Sequence, residues 1–570
     1  MASTPYDFAA SAPYHAVAFL AIAAYSLYRW LLPKPLPGIA YNAKAVRSLF
    51  GDGPDMLQEI SLTHEFGVWC ADQVERLGAP ICQVFVRPFA KPWILVSDFR
   101  ESQDILTRRT KEFDKSSFIT NAMASLGDFH PRFLTNQKFK ASRGWLQDLM
   151  TPSFLHGHMG PIIYSKGLEL IQLFERRMEL AAGRPFTVRD DYDFASLDAM
   201  MGWAFGSNLG YTAVGPQVEL AANLDPSEIP QGGLDDPIIF PPAKLHDFLV
   251  TAHEVPQVVE RTVIAWVPSL SLFWWRRMSW FKKLFSEKQR TVKSQLEIAK
   301  EHYEAGEIKS GLEHMLMREA SAAEKEGRQP DFDNHLISDE IFGEIIAGHH
   351  TTGGAMGWLT KFLTGHPDVQ SQVRSELYAT FPQALEEDRL PSFDEIRKAR
   401  LPYLDAAFEE MLRLTSVTVT REALCDTQIL GRRVPKGSQV FLVSNGPGFL
   451  SPSLPINDSD RSPTARAAAE KSWDETQDLR LYEPDRWLVK KEDGSVEFDP
   501  NAGPQLGFGL GARSCWGRRM AAMEVKTILS MLIWHFEMLE IPAALSGYAG
   551  FDGVSRRPQK CFVRLRRARA

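Results

Sequence analysis

One cysteine stands out for its surroundings. In Phe508-Gly-Leu-Gly-Ala-Arg-Ser-Cys-Trp-Gly517, Cys515 lies between glycines, two residues after Arg513, with a helix-forming run from Arg518 to Leu532 directly behind it. Glycines permit tight backbone turns that a Cβ forbids, so the loop can aim its own N–H groups at the sulphur. A helix starting there adds its positive end, and both influences favour a thiolate over a thiol. A thiolate so presented is a metal ligand or a nucleophile, whereas a buried free cysteine is commonly inert. Gly507-Phe-Gly509-Leu-Gly511 has something of a dinucleotide-binding fingerprint, but its third glycine is misplaced and Ala512 stands where glycine is needed.

A second candidate lies on a long helix. Ser338 to Leu363 places Ile341, Ile345, Gly348, Thr352, Ala355, Leu359 and Phe362 on one face, with Ser338 as its cap and Asp339 and Glu340 in the first turn. Within it, Ala347-Gly-His-His-Thr-Thr352 puts a glycine beside two hydroxyls, which predicts a widened turn where a ligand approaches the backbone. His349 and His350 do not read as zinc ligands, since helix neighbours diverge and no His-Glu-x-x-His spacing exists. A third candidate is Glu410-Met-Leu-Arg413, whose carboxylate and guanidinium share a helix face and can pair.

The elements that must position these groups come from a chain of 570 residues, 44% apolar and 24% charged, ample for a large core. Its net charge of −7 argues against a nucleic-acid partner. Five scattered cysteines suit a reducing compartment and exclude a disulfide scaffold or a paired-cysteine zinc site. From Phe8 to Tyr28 no charged residue occurs, and as a helix this stretch is about 30 Å long, enough to cross a bilayer core. A cleaved signal peptide would want a basic start, where only Asp7 is found. Residues 1–32 therefore read as a retained single-pass anchor, and Arg29 and Lys34 after it place the bulk of the chain in the cytosol. Residues 33–45, opening Pro33-Lys-Pro-Leu-Pro-Gly38, read as a stiff hinge, and 46–570 as one folded domain. Strand-like runs at Ile81–Val86 and Pro92–Val96, helical segments from about Asp98, an irregular region from Asn223 to Leu249, strands at Ile429–Val434 and Gln439–Val443, and a loop insertion from Ser451 to Lys471 complete the layout.

The spacing Phe508-x-x-Gly511-x-Arg513-x-Cys515-x-Gly517 resembles the haem-binding loop of the cytochrome P450 family. Ala347 to Thr352 resembles the family's oxygen-activating motif, with His350 where an aspartate or glutamate is usual. Glu410 and Arg413 resemble its Glu-x-x-Arg pair, and Tyr482-Glu-Pro-Asp-Arg486-Trp487 the meander that supplies the second arginine. Phe139-Lys-Ala-Ser-Arg143 resembles the helix beside the haem, with Phe139 in place of tryptophan.

The resemblance implies a mainly α fold with small β-sheets, preceded by a single transmembrane helix, and haem b between the long helix and the Cys515 loop. Cys515 would be the axial iron ligand. Arg513, Arg421 and Arg143 would meet the propionates, with Phe508 and Gly511 shaping the loop. Gly348, Thr351 and His350 would serve oxygen binding and proton delivery, while Glu410, Arg413 and Arg486 would hold the proximal side in shape. It further implies a monooxygenase of fungal secondary-metabolism type acting on a hydrophobic small molecule at the endoplasmic reticulum membrane. Electrons would come from a separate NADPH-cytochrome P450 reductase, for which Arg518 and Arg519 are candidate docking residues. The missing acid keeps open a reaction without net oxygen insertion: desaturation, oxidative coupling or rearrangement.

Overall fold

The structure is a computed structural model that describes residues 6–265 and 267–568. It is mainly helical. The helices that build the site are α1 (Tyr6–Leu31), α2 (Gln137–Trp145), α3 (Arg189–Phe205), α4 (Asp247–Ile264), α5 (His335–Gly365), α6 (Pro402–Leu414) and α7 (Arg518–His535). A mixed six-stranded sheet stands beside them, from β1 (Ala40–Tyr41), β2 (Ile81–Val84), β3 (Trp93–Val96), β4 (Phe113–Lys115), β5 (Val419–Ala423) and β6 (Gln439–Leu442), in the order β1-β2-β3-β6-β5-β4. Its register sets Lys115 of β4 opposite Arg421 of β5, two cations that are 306 positions apart in the chain.

Helix α5 runs through the core, and its residues Ile341, Ile345, Thr352, Leu359 and Phe362 are buried as the periodicity predicts. It starts a turn earlier than expected, because Asn334 caps it by accepting from the Leu336 N–H at 3.0 Å, and Ser338 sits inside. Helix α3 crosses it at close range. A Cβ on Gly353 would lie 2.3 Å from Asp193 Oδ1 and 2.8 Å from Asp193 Cα, so only glycine fits there. The region after Asn223 is irregular, apart from the short turn Pro226–Glu228, until α4 begins at Asp247.

Two sequence expectations change. α1 forms over 26 residues, with Phe19, Leu20, Ile22 and Trp30 exposed, yet among the described residues no helix is long and apolar enough to cross a membrane. Residues 1–5 of the expected anchor lie outside the described residues. The proline-rich hinge is also partly docked. Gln83 Nε2 donates to the carbonyls of Leu36 at 2.9 Å and Ile39 at 2.8 Å, and Ala40–Tyr41 pairs with β2. The insertion is pinned as well: Arg461 grips Asp98 at 2.6 and 3.0 Å, and Ser462 Oγ donates to Asp104 at 2.6 Å.

Candidate active site

The Cys515 loop is closed by the Cys515 N–H donating to Phe508 O at 2.7 Å. Gly511 holds φ at +71°, and a Cβ there would lie 2.2 Å from Leu106 O, so its glycine is required twice over. Gly517 precedes the first residue of α7 and directs its N–H to the sulphur. Cys515 is accessible, yet so much protein surrounds it that desolvation dominates and pushes the thiol pKa up. The Gly517 N–H, Arg518 and Arg143 pull the other way without prevailing. Loop and helix end therefore do not make a thiolate by themselves, contrary to the sequence reasoning. A cationic metal at the sulphur is what would hold it deprotonated.

On α5, Ala347 is exposed and Thr351 and Ala355 are half-buried, in a stretch whose other side chains are mostly buried. These positions, four apart, form one accessible stripe on a core helix. Glu344, one turn upstream of Gly348, acts electrostatically on Cys515, and Arg143, which packs 5.7 Å from Trp516, feels the same carboxyl, so this part of α5 lies on the side of the loop. The Thr351 hydroxyl donates to Ala347 O at 2.8 Å. Gly348 owes its identity to packing: a Cβ would meet Met200 Sδ of α3 at 2.4 Å, so the room it leaves is taken by methionine.

Three basic side chains converge near the loop with few anions to meet them. Arg421 is held down at about 10 by burial and by Arg513. Lys115 is held at about 7 by burial, Arg421 and Arg513, with Asp114 opposing. Arg513 donates to Phe133 O at 2.8 Å and lies 4.0 Å over the Phe139 ring, but its Nη1 is buried without a partner. Cross-strand like charges and an orphaned guanidinium nitrogen are unfavourable unless an anion sits among them. The set fits the carboxylates of a haem whose iron meets Cys515. Lys115 escaped the sequence reading, because only the β4–β5 register brings it to Arg421.

Arg143 faces a different set. Burial lowers its pKa while Glu344 and Glu340 raise it, and it packs 5.9 Å from Phe139 and 5.7 Å from Trp516. Burial lifts Glu340 to about 8 and Glu344 to about 7; His130, which meets Glu340 at 2.5 Å, is pushed down to about 4, again by burial. Phe508 packs against Phe408 and beneath Arg518. The two expected docking arginines are engaged, Arg518 with Glu409 at 3.0 Å and Arg519 with Met150 O at 3.5 Å.

Glu410 and Arg413 are 0% and 1% exposed and form a two-point pair at 2.8 and 2.7 Å. Trp487 Nε1 and the Glu483 N–H donate to the same carboxylate at 2.9 and 3.1 Å. Arg486 approaches Glu410 at only 3.5 Å and pairs more closely with Glu483 at 2.7 Å. Trp487 is the partner that spacing did not reveal.

His350 is buried behind the stripe. Its Nδ1 lies 2.9 Å from Asp193 of α3, and its Nε2 lies 3.0 Å from the His253 carbonyl of α4. The position where an acid is usual thus carries a base that is anchored to an acid on another helix.

The profile of the family described as Cytochrome P450 matches residues 145–446 and 474–546, and its gap falls on the insertion. The chain is 38% identical over 546 residues to "Cytochrome P450 monooxygenase xilC" of Penicillium crustosum, covering 95% of this chain and 94% of that protein. It is 35% identical over 578 residues to "Cytochrome P450 monooxygenase TRI13" of Fusarium sporotrichioides, covering 96% and 98%. It is 24% identical over 403 residues to the steroid 21-hydroxylase of Sus scrofa, covering 70% and 69%. With a cysteine loop, a facing helix stripe and a cation cluster in the places described, the chain belongs to the cytochrome P450 family of oxidoreductases.

Proposed function

We propose that this P450 inserts one atom of dioxygen into a hydrophobic small molecule in fungal secondary metabolism, with haem b bound through Cys515 and electrons delivered by a separate NADPH-dependent reductase. The observation that carries the reading is the pairing of an accessible cysteine loop with the Ala347–Thr351 stripe, beside cations that lack anions. Arg513 and Arg421, joined by Lys115, would hold the propionates, and Phe139 would back Arg513 in place of the usual indole. A haem so held supplies redox iron whose thiolate ligand favours O–O cleavage.

This chain's own residues do the rest. Thr351 Oγ1 rotates between the Ala347 carbonyl and the accessible side, where it can pass a proton. His350 touches neither and acts as a positioning residue that ties the helix to Asp193. The Glu410 cluster keeps the proximal wall in shape. Residues 1–32 act as a membrane attachment through the exposed side chains of α1, at the endoplasmic reticulum with the catalytic domain, 46–570, in the cytosol. Residues 33–45 connect the two.

The test is to express the chain with a reductase, feed it lipophilic extracts under heavy-oxygen dioxygen, and compare products with a Cys515→Ala control. Label in a Cys515-dependent product supports oxygen insertion. The absence of a carboxylate at position 350 favours a second reading, desaturation, coupling or rearrangement, and an unlabelled Cys515-dependent product selects it, once exchange with water is excluded. Persistence of a thiolate-type carbon monoxide spectrum in Cys515→Ala overturns the ligand assignment.

A further inference from the structure

The oxygen-side helix carries a second group of ligating side chains on its buried back. His349, His350 and, from α4, His253 each offer a ring nitrogen, and these atoms lie within 4.8 Å of one another. The rings of His349 and His350 are 4.4 Å apart and those of His253 and His350 are 4.9 Å apart. Adjacent histidines on a helix were not expected to converge; here they do so because both lean toward α4.

The hydrogen bonds around this group prepare it for a ligand. His349 Nδ1 donates to Ile345 O at 2.8 Å, which fixes the tautomer and leaves the Nε2 lone pair free, and that nitrogen is buried without a partner. His253 Nδ1 is likewise buried and unpartnered. Both nitrogens of His350 face acceptors, Asp193 and the His253 carbonyl, although a neutral imidazole has one proton to give. Arg557 Nη1 lies 3.4 Å from His350 Nδ1 and is itself neutralised by Glu260 at 2.6 Å.

We infer that His253, His349 and His350 form a binding site for a divalent d-block cation of the zinc or copper type, separate from the haem. Asp193 on His350 and the Ile345 carbonyl on His349 are the outer partners that ligating histidines regularly have. Metal–nitrogen bonds of about 2.0–2.1 Å require each nitrogen to move inward by less than about 1 Å, which side-chain rotation supplies. His350 exchanges one hydrogen bond, to the His253 carbonyl, for a coordination bond. A bound ion joins α4 to α5 and so clamps the two helices together.

The test uses the full-length, haem-loaded protein stripped with chelator and dialysed against Zn²⁺, with metal measured per haem. One zinc per chain is expected, with affinity at least tenfold weaker in His253→Gln and in Asp193→Asn, while the carbon monoxide spectrum of each variant stays that of the parent. A measurement on the unmutated protein guards against misfolded variants: Cu²⁺ is added with the iron held as the diamagnetic ferrous carbon monoxide complex, and the copper resonance is read for nitrogen splitting. Splitting from three nitrogens supports the site. No zinc retained, or copper without that splitting, overturns it. None of these readouts depends on which reaction the enzyme performs, so the metal site and the proposed reaction stand or fall separately.

Discussion

Two buried charge clusters flank the cysteine loop, and they are built on opposite plans. Around Glu410 both carboxylate oxygens are met, by two points from Arg413, an indole N–H and a backbone N–H, with only Arg486 Nε, 3.5 Å away, making no hydrogen bond. Around Arg513 the cations Lys115 and Arg421 crowd each other, and a guanidinium nitrogen is left without a partner. A satisfied cluster fixes shape, because breaking it strands a charge. A cluster with unmet donors stores an unfavourable term that an incoming anion removes, so it selects a ligand.

The contrast can be broken most forcefully at Glu410. Glu410→Ala strands Arg413 and orphans Trp487 Nε1, and is expected to cost about 3–5 kcal/mol, read as a shift in the denaturant midpoint of the cofactor-free chain. A loss below 1 kcal/mol would place Glu410 with the dispensable ion pairs. Arg421→Met should act with opposite signs in two states. Without haem it relieves repulsion and stabilises the chain by about 1 kcal/mol or more. With haem it speeds cofactor loss roughly tenfold, in keeping with a charge-assisted hydrogen bond. The same sign in both states would show that this cluster does not face the propionates.

The remaining test is a pH slope. Lys115 is held near 7 in the folded chain against 10.5 for the free group. Between these values the unfolded state carries the proton and the folded state does not, so stability of the cofactor-free chain rises as pH rises from about 7 toward 10.5. Lys115→Met should flatten that part of the profile, and haem should do the same by keeping the lysine charged. An unchanged slope in Lys115→Met would assign the effect to another group.

What the sequence made legible was local. The residues of the Cys515 loop lie within a few positions of one another, as do Glu410 and Arg413, and glycine placement or helix spacing defines each group. The central helix was readable too, although its cap was misplaced by one turn because Asn334 outcompetes Ser338. The long-range partners were hidden. Lys115 meets Arg421 through strand register, Trp487 meets Glu410 through the meander's path, and Asp193 meets His350 where two helices cross. The thiol's raised pKa was hidden for a related reason: local dipoles are visible in sequence, but the mass of protein that desolvates a group is not.

The glycine-lined crossing of α3 and α5 also bears on how the enzyme can adapt to what it binds. At Gly353 the backbone of α3 comes so close, and at Gly348 the Met200 side chain so fills the gap, that the two helices are locked together as a single beam. The stripe from Ala347 to Ala355 is mounted on that beam and keeps its contour whatever lies against it. Among the elements packed on α5, α4 is the one built to give: it contains Pro256 and so lacks one rung of its backbone ladder, and the irregular stretch before Asp247 leads into it. Differences in molecular size among candidate substrates would accordingly be registered away from the stripe, while the oxygen side remains a fixed template.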